Sequence, residues 1–195
     1  MPSLKRTERS RNLILDAADE AFRELGFENT SVEEIAAHAG LTRKTVYNLF
    51  RSKEDIALNL IARVEANDAG YRELMARNMN VTELLELVLT DSARWCIANP
   101  SLARLALAPS IRPSLEPPSE RPSFQGLVRD ILALGQQQGL VRNDEEANYM
   151  ALVLLGIYGQ AMLNSLVGKA FDHSQVRRLI RIVVEGIGER SWVSR

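Results

Sequence analysis

Between residues 31 and 55 the chain carries helix-start signals in quick succession. Ser31-Val32-Glu33-Glu34 is a capping box, in which the serine and the glutamate three residues on satisfy each other's orphan backbone amides. Gly40 suits the left-handed turn that closes the short helix so begun. Leu41 then drops toward the core, and Thr42 caps a further helix. Ser52-Lys53-Glu54-Asp55 repeats the pattern of a serine followed three residues later by an acid. The run predicts two short helices meeting at a tight turn, with a long helix directly after.

The remainder reads as helix too. Leu13, Ile14, Ala17, Ala18, Ala21, Phe22 and Leu25 form an apolar stripe at helical spacing, with Thr7 to cap its start and Gly26 its end. Ile56, Leu60 and Val64 continue the helix after Ser52, predicted to reach about Met79; Leu84, Leu85, Val88 and Trp95 mark another over 81–99, stopping before Pro100. Five prolines from Pro109 to Pro122 enforce a loop. Helices are predicted beyond it over roughly 123–138, 144–168 and 174–190, and strand alternation appears nowhere. With 195 residues, 46% of them hydrophobic, a sizeable core is available. The expected fold is all-α: a three-helix helix-turn-helix domain over 1–52 and a domain of about six helices over 53–195.

The helix after Gly40 carries the chemistry. In LTRKTVYNLF, residues 41–50, Val46, Leu49 and Phe50 share one face, and Arg43, Lys44, Tyr47 and Asn48, followed by Arg51, share the other. From Thr42 to Lys53 there is no Asp or Glu, so this face is suited to an anion. As the second helix of a helix-turn-helix it would enter the major groove of DNA. Thr42, Arg43, Lys44 and Thr45 would then lie nearest base edges, Arg or Lys matching guanine and Thr several partners. Tyr47 and Arg51 are better placed for phosphates, with Asn48 on the same face. Lys53 opposes the dipole of the helix it opens, and a phosphate held by Lys53 and the amides of Glu54 and Asp55 would repair that charge. The competing reading is a solvated face, or an adaptor whose basic helix binds an acidic partner.

The run TSVEEIAAHAGLTRKTVYNLFRSKEDI resembles the TetR family of bacterial transcriptional regulators in Ile35-Ala36, Ala39-Gly40, Leu41, Thr42, Tyr47, Phe50 and Lys53-Glu54. The likeness covers about the first quarter of the chain. It implies a repressor that binds a palindromic operator as a homodimer and is released by a small effector. Lys44 stands where the family often has glycine, and Leu49 where it often has a His or aromatic on phosphate. Lys44 is therefore expected to reach a phosphate or base, and Leu49 to extend the core. His38 reads as a surface or satisfied core histidine rather than a metal ligand.

Lys and Arg number 24 against 25 acids, so any nucleic-acid surface is local. The single cysteine, Cys96, excludes an intrachain disulfide and suits a reducing cytoplasm; the N-terminus MPSLKRTERSR lacks the apolar core of a secretory signal. Residues 147–168 are apolar nearly all round, but Asn148, Gln160 and Asn164 interrupt them, so burial against protein is expected rather than a membrane span. Gly156, Gly159 and Leu163 there, with Val176, Leu179, Ile180, Val183 and Ile187 on the last helix, are the expected dimer interface, two helices per subunit forming a four-helix bundle. Asp91, Arg94, Trp95 and Tyr149 place polar or aromatic groups on apolar helices and are the candidate effector contacts, the 109–122 loop a candidate rim. The helix from Ser52 joins the two domains and is the expected lever between effector and DNA. No cofactor or metal is called for. With only His38 and His173, no His paired to Cys96 and no glycine-rich phosphate loop, an enzyme is not expected.

Overall fold

The computed structural model describes residues 2–108, 115–166 and 173–185, with side chains over 5–108, 115–166 and 174–182. Among them are ten helices and no strand: α1 Pro2–Leu25, α2 Val32–His38, α3 Arg43–Leu49, α4 Lys53–Glu65, α5 Ala69–Ala76, α6 Val81–Ala98, α7 Pro100–Leu107, α8 Phe124–Gln137, α9 Ala147–Ser165 and α10 His173–Glu185. The all-helical expectation holds. The chain divides into two compact units, Met1–Val64 with Asn99–Pro109, and Glu65–Ala98 with Ser110–Arg195.

In the first unit α1 packs on α2 and α2 on α3. Ile14, Ala18, Ala21, Ile35, Val46, Ile56 and Ala57 are wholly buried. Leu13 and Leu25, counted into the stripe of α1, are instead 41% exposed, because the buried arc is narrower than the apolar one. Thr7 does not start α1, which begins five residues earlier at Pro2; a proline in the first turn has no amide to leave unpaired. Gly26 closes it at φ +81°.

The helix expected to run from Ser52 to about Met79 is two helices. α4 ends at Glu65, and Asp68, 6% exposed, accepts from Arg72 Nε at 2.7 Å, so an acid-anchored turn replaces continuous helix. Arg72 also reaches Asp130 on α8 at 3.0 Å. The segment after Asn99 is likewise helical: α7 opens with Pro100 in its first turn.

The second unit is built on contacts of α6 with α5, α8 and α10, and of α9 with α8 and α10. Its core gathers Leu84, Leu85, Leu89, Val128, Ile131, Leu154 and Met162. Tyr158 is buried there and donates its hydroxyl to the Leu89 carbonyl at 3.1 Å; burial raises the phenol's pKa. Burial also pushes the Cys96 thiol up to about 11, so it stays protonated. No described helix is long and apolar enough to cross a membrane.

α9 splits its apolar residues between two sides. Ala151, Leu154, Tyr158, Gly159 and Met162 face the interior, whereas Tyr149, Val153, Gly156 and Ile157 are exposed. The expected dimer residues therefore separate. Val176 and Ile180 are 0% and 2% exposed, covered by their own chain where α10 meets α6 and α9, so they are intrachain core rather than free interface. Gly159 is buried, Leu163 and Leu179 are half-buried, and Gly156 is open. Ile187 and the side chain of Val183 lie outside the described residues.

Candidate nucleic-acid interface

The turn between α2 and α3 forms as its residues dictate. Ser31 N donates to Glu34 Oε2 at 2.6 Å and Glu34 N to Ser31 Oγ at 3.2 Å, completing the capping box. The serine bonds hold the Glu34 carboxyl below its usual pKa. Gly40 turns the chain at φ +64°, a value that penalises any side chain, while Leu41 N donates to the Ala36 carbonyl at 2.9 Å. Thr42 caps α3 by accepting from Thr45 N at 3.2 Å, and the two threonine hydroxyls are 2.9 Å apart.

Val46 and Phe50 anchor α3 from below at 0% and 2% exposure, with Leu49 half-buried beside them. The opposite face presents Thr42, Arg43, Lys44, Tyr47 and Asn48, continued by Arg51, all exposed; Thr45 is half-buried. The residues expected on one polar face are thus brought together. Arg43 lies over the Tyr47 ring, 5.3 Å from its centroid, and pairs with Glu33 of α2 at 2.6 Å. Tyr47 and then Glu33 raise its pKa, keeping it cationic. His38 is exposed on α2.

Lys53 sits differently from the pattern expected of it. Its Nζ donates to the carbonyls of Phe27 at 2.6 Å and Glu28 at 3.3 Å and rests 4.4 Å from the Phe27 ring centroid. The charge at the start of α4 is met within the chain, by carbonyls just past the end of α1, so no phosphate is required to balance it.

Sequence reasoning missed Arg11. Its Nη1 donates to the Leu49 carbonyl at 2.9 Å, its Nη2 to Asn59 Oδ1 at 2.8 Å, and its guanidinium covers the Phe50 ring at 4.5 Å. One side chain of α1 thereby ties the end of α3 to α4. Asn59 continues the link to Asp55, whose other oxygen accepts from Arg51 N at 2.8 Å. The only sequence signal was an arginine three residues before the buried Ile14.

In the second unit, Asp91 accepts from Tyr71 Oη at 3.0 Å and from Arg94 Nη1 at 2.9 Å. Burial, then the Asp91 hydrogen bond, pushes the Tyr71 phenol up to about 12. Trp95 is half-buried, Arg94 exposed, and Tyr149 on α9 60% exposed.

Residues 14–60 match the sequence model of the bacterial regulatory proteins, tetR family. The HTH-type transcriptional repressor BepR of Brucella suis is 26% identical over 84% of either chain. An uncharacterized HTH-type transcriptional regulator of Mycobacterium tuberculosis, MT1294, is 36% identical, over 52% of this chain and 50% of its own. Among solved structures, Thermus thermophilus FadR, a TetR-family transcriptional repressor in complex with lauroyl-CoA, superposes with a TM-score of 0.75 at 25% identity, over 92% of this chain and 96% of that one. These relatives are DNA-binding transcriptional regulators and not enzymes. With a helix-turn-helix inside the matched residues and a fold shared along nearly the whole length of a TetR-family repressor, residues 14–60 carry the N-terminal DNA-binding region of the tetR family of bacterial regulatory proteins, and the chain as a whole resembles that family.

Proposed function

We propose that the protein is a cytoplasmic repressor that binds a roughly palindromic DNA operator as a homodimer and leaves it when a small, largely apolar effector binds. Residues 1–52 would recognise the operator and residues 53–195 would bind the effector and the second copy. The observation that carries the reading is the exposed, acid-free face of α3, where Arg43, Lys44, Tyr47, Asn48 and Arg51 stand on an anchored helix. In this reading Thr42, Arg43, Lys44 and Thr45 meet bases, and Tyr47, Asn48 and Arg51 serve register and phosphates. Lys53 contributes only by shifting from its carbonyl partners.

Dimerisation would use the exposed apolar side of α9, through Gly156, Val153 and Ile157, with Leu163 and Leu179 at its margin. The lauroyl-CoA of the Thermus thermophilus relative makes a long acyl thioester the first effector to try. Asp91, Arg94, Trp95 and Tyr149 are the residues to vary. The test is linkage: titrations of lauroyl-CoA with and without operator DNA, followed by calorimetry. A true inducer binds more weakly with operator present, by the factor by which it weakens DNA binding. Equal affinities would reject that compound as an inducer.

A further inference from the structure

The exposed face of α3 bears no acid of its own, yet α2 supplies one. Glu33 Oε1 lies 2.6 Å from Arg43 Nη1, with 52% and 62% of the two side chains exposed. The two adjacent acids that open α2 have separate partners. Glu34 accepts from the Ser31 amide and hydroxyl, so the helix cap is complete without Glu33. Glu33 is therefore free of the cap and turned to the arginine expected to read a base. Tyr47 supports the same guanidinium from below, 5.3 Å from the ring centroid. Carboxylate and ring together favour one orientation of the exposed Arg43 guanidinium.

An arginine has five donors, so a guanidinium held through one nitrogen keeps others for a second acceptor. A base edge met in that orientation leaves the ion pair in place. A phosphate met in any other orientation would draw Arg43 away, breaking the pair and leaving a bare carboxylate beside a polyanion. We propose that Glu33 is a specificity-determining residue, which by holding Arg43 weakens binding to DNA of the wrong sequence more than binding to the operator. The proposal rests on the reading that α3 faces DNA.

The experiment is fluorescence anisotropy of wild type, Glu33→Gln, Arg43→Ala and the double variant. The probes are a random-sequence duplex and the duplex recovered by selection from random DNA, each over a range of salt. Glu33→Gln is expected to bind the random duplex roughly two- to five-fold tighter, the scale of one exposed ion pair. Its salt dependence steepens by about one phosphate contact. The selected duplex gains less, so the ratio of the two affinities falls. On the Arg43→Ala background the same change should have no effect, since the carboxylate acts through the arginine. Unchanged or weaker binding of the random duplex by Glu33→Gln overturns the proposal, as does equal tightening without Arg43. If Arg43→Ala leaves both affinities unchanged, the reading of α3 falls and the proposal with it. A weakened Arg43→Ala beside an inert Glu33→Gln sinks the proposal alone.

Discussion

At the scale of single residues, Arg11 decides whether α3 is merely formed or also held in place. α3 is seven residues long and ends on carbonyls that only a donor from elsewhere can satisfy, and Arg11 supplies that donor to Leu49. Arg11→Ala is expected to lower stability by about 1–3 kcal/mol, the range for losing hydrogen bonds from a charged donor. It should also weaken DNA binding at every salt concentration without changing the slope of log affinity against log salt, because the side chain points at protein and not at phosphate. Lysine should restore little, lacking the fork that reaches Leu49 and Asn59 together. Chemical denaturation and anisotropy measure the two effects; a slope reduced by about one would make Arg11 a phosphate contact instead. The exposed residues of α3 were legible in the sequence because they sit in one acid-free stretch whose apolar partners repeat at helical spacing. Arg11, Lys53 and Glu33 were not, because their partners lie 38, 26 and 10 residues away, and a sequence displays a charge without showing what it faces.

At the scale of elements, the helices that announced themselves were those with chemical punctuation. The box at Ser31, the serine cap at Ser52, the cap at Thr42 and the turns at Gly26 and Gly40 recur in the structure at those residues. Where the sequence offers periodicity alone, a tertiary contact sets the boundary. Asp68 stops a helix that propensity would continue because Arg72 makes its burial tolerable, and Pro100, just past the end of α6, also opens α7. Two glycines test the packing that results. A Cβ on Gly135 of α8 would lie 2.5 Å from a Val141 methyl and 2.9 Å from one of Val81, so Gly135→Ala should destabilise by about 1–3 kcal/mol despite better helix propensity. On α5, Gly70 meets nothing within 4 Å, and Gly70→Ala should stabilise by about 0.5–1 kcal/mol. Thermal or urea denaturation resolves opposite signs; a stabilised Gly135→Ala would contradict the close approach of α8 to Val81 and Val141.

At the scale of the whole molecule, the proposed function joins a basic helix face to a partner copy and an effector. Gly156 tests the partner without disturbing the core, since it is exposed and a Cβ added there meets nothing within 4 Å. Gly156→Leu should leave the protomer folded while weakening the dimer by roughly ten-fold or more, the overpacking penalty falling on the interface. Sedimentation measures it, and an unchanged dimer would move the contact off this side of α9. The polarity of the proposed dimer face was only half legible, because apolar residues all round a helix say that it is covered on several sides but not which side its own chain covers. Val176 and Ile180 turned out to be covered from within. The central claim is that α3 reads a specific DNA sequence, and selection from a random duplex library tests it most directly. The wild type should recover one shared, roughly palindromic sequence, and Arg43→Ala or Lys44→Ala should relax the preference at particular positions, each good base contact being worth roughly 1–3 kcal/mol. Recovery of no common sequence, or of the same sequence with undiminished preference from both variants, would contradict it.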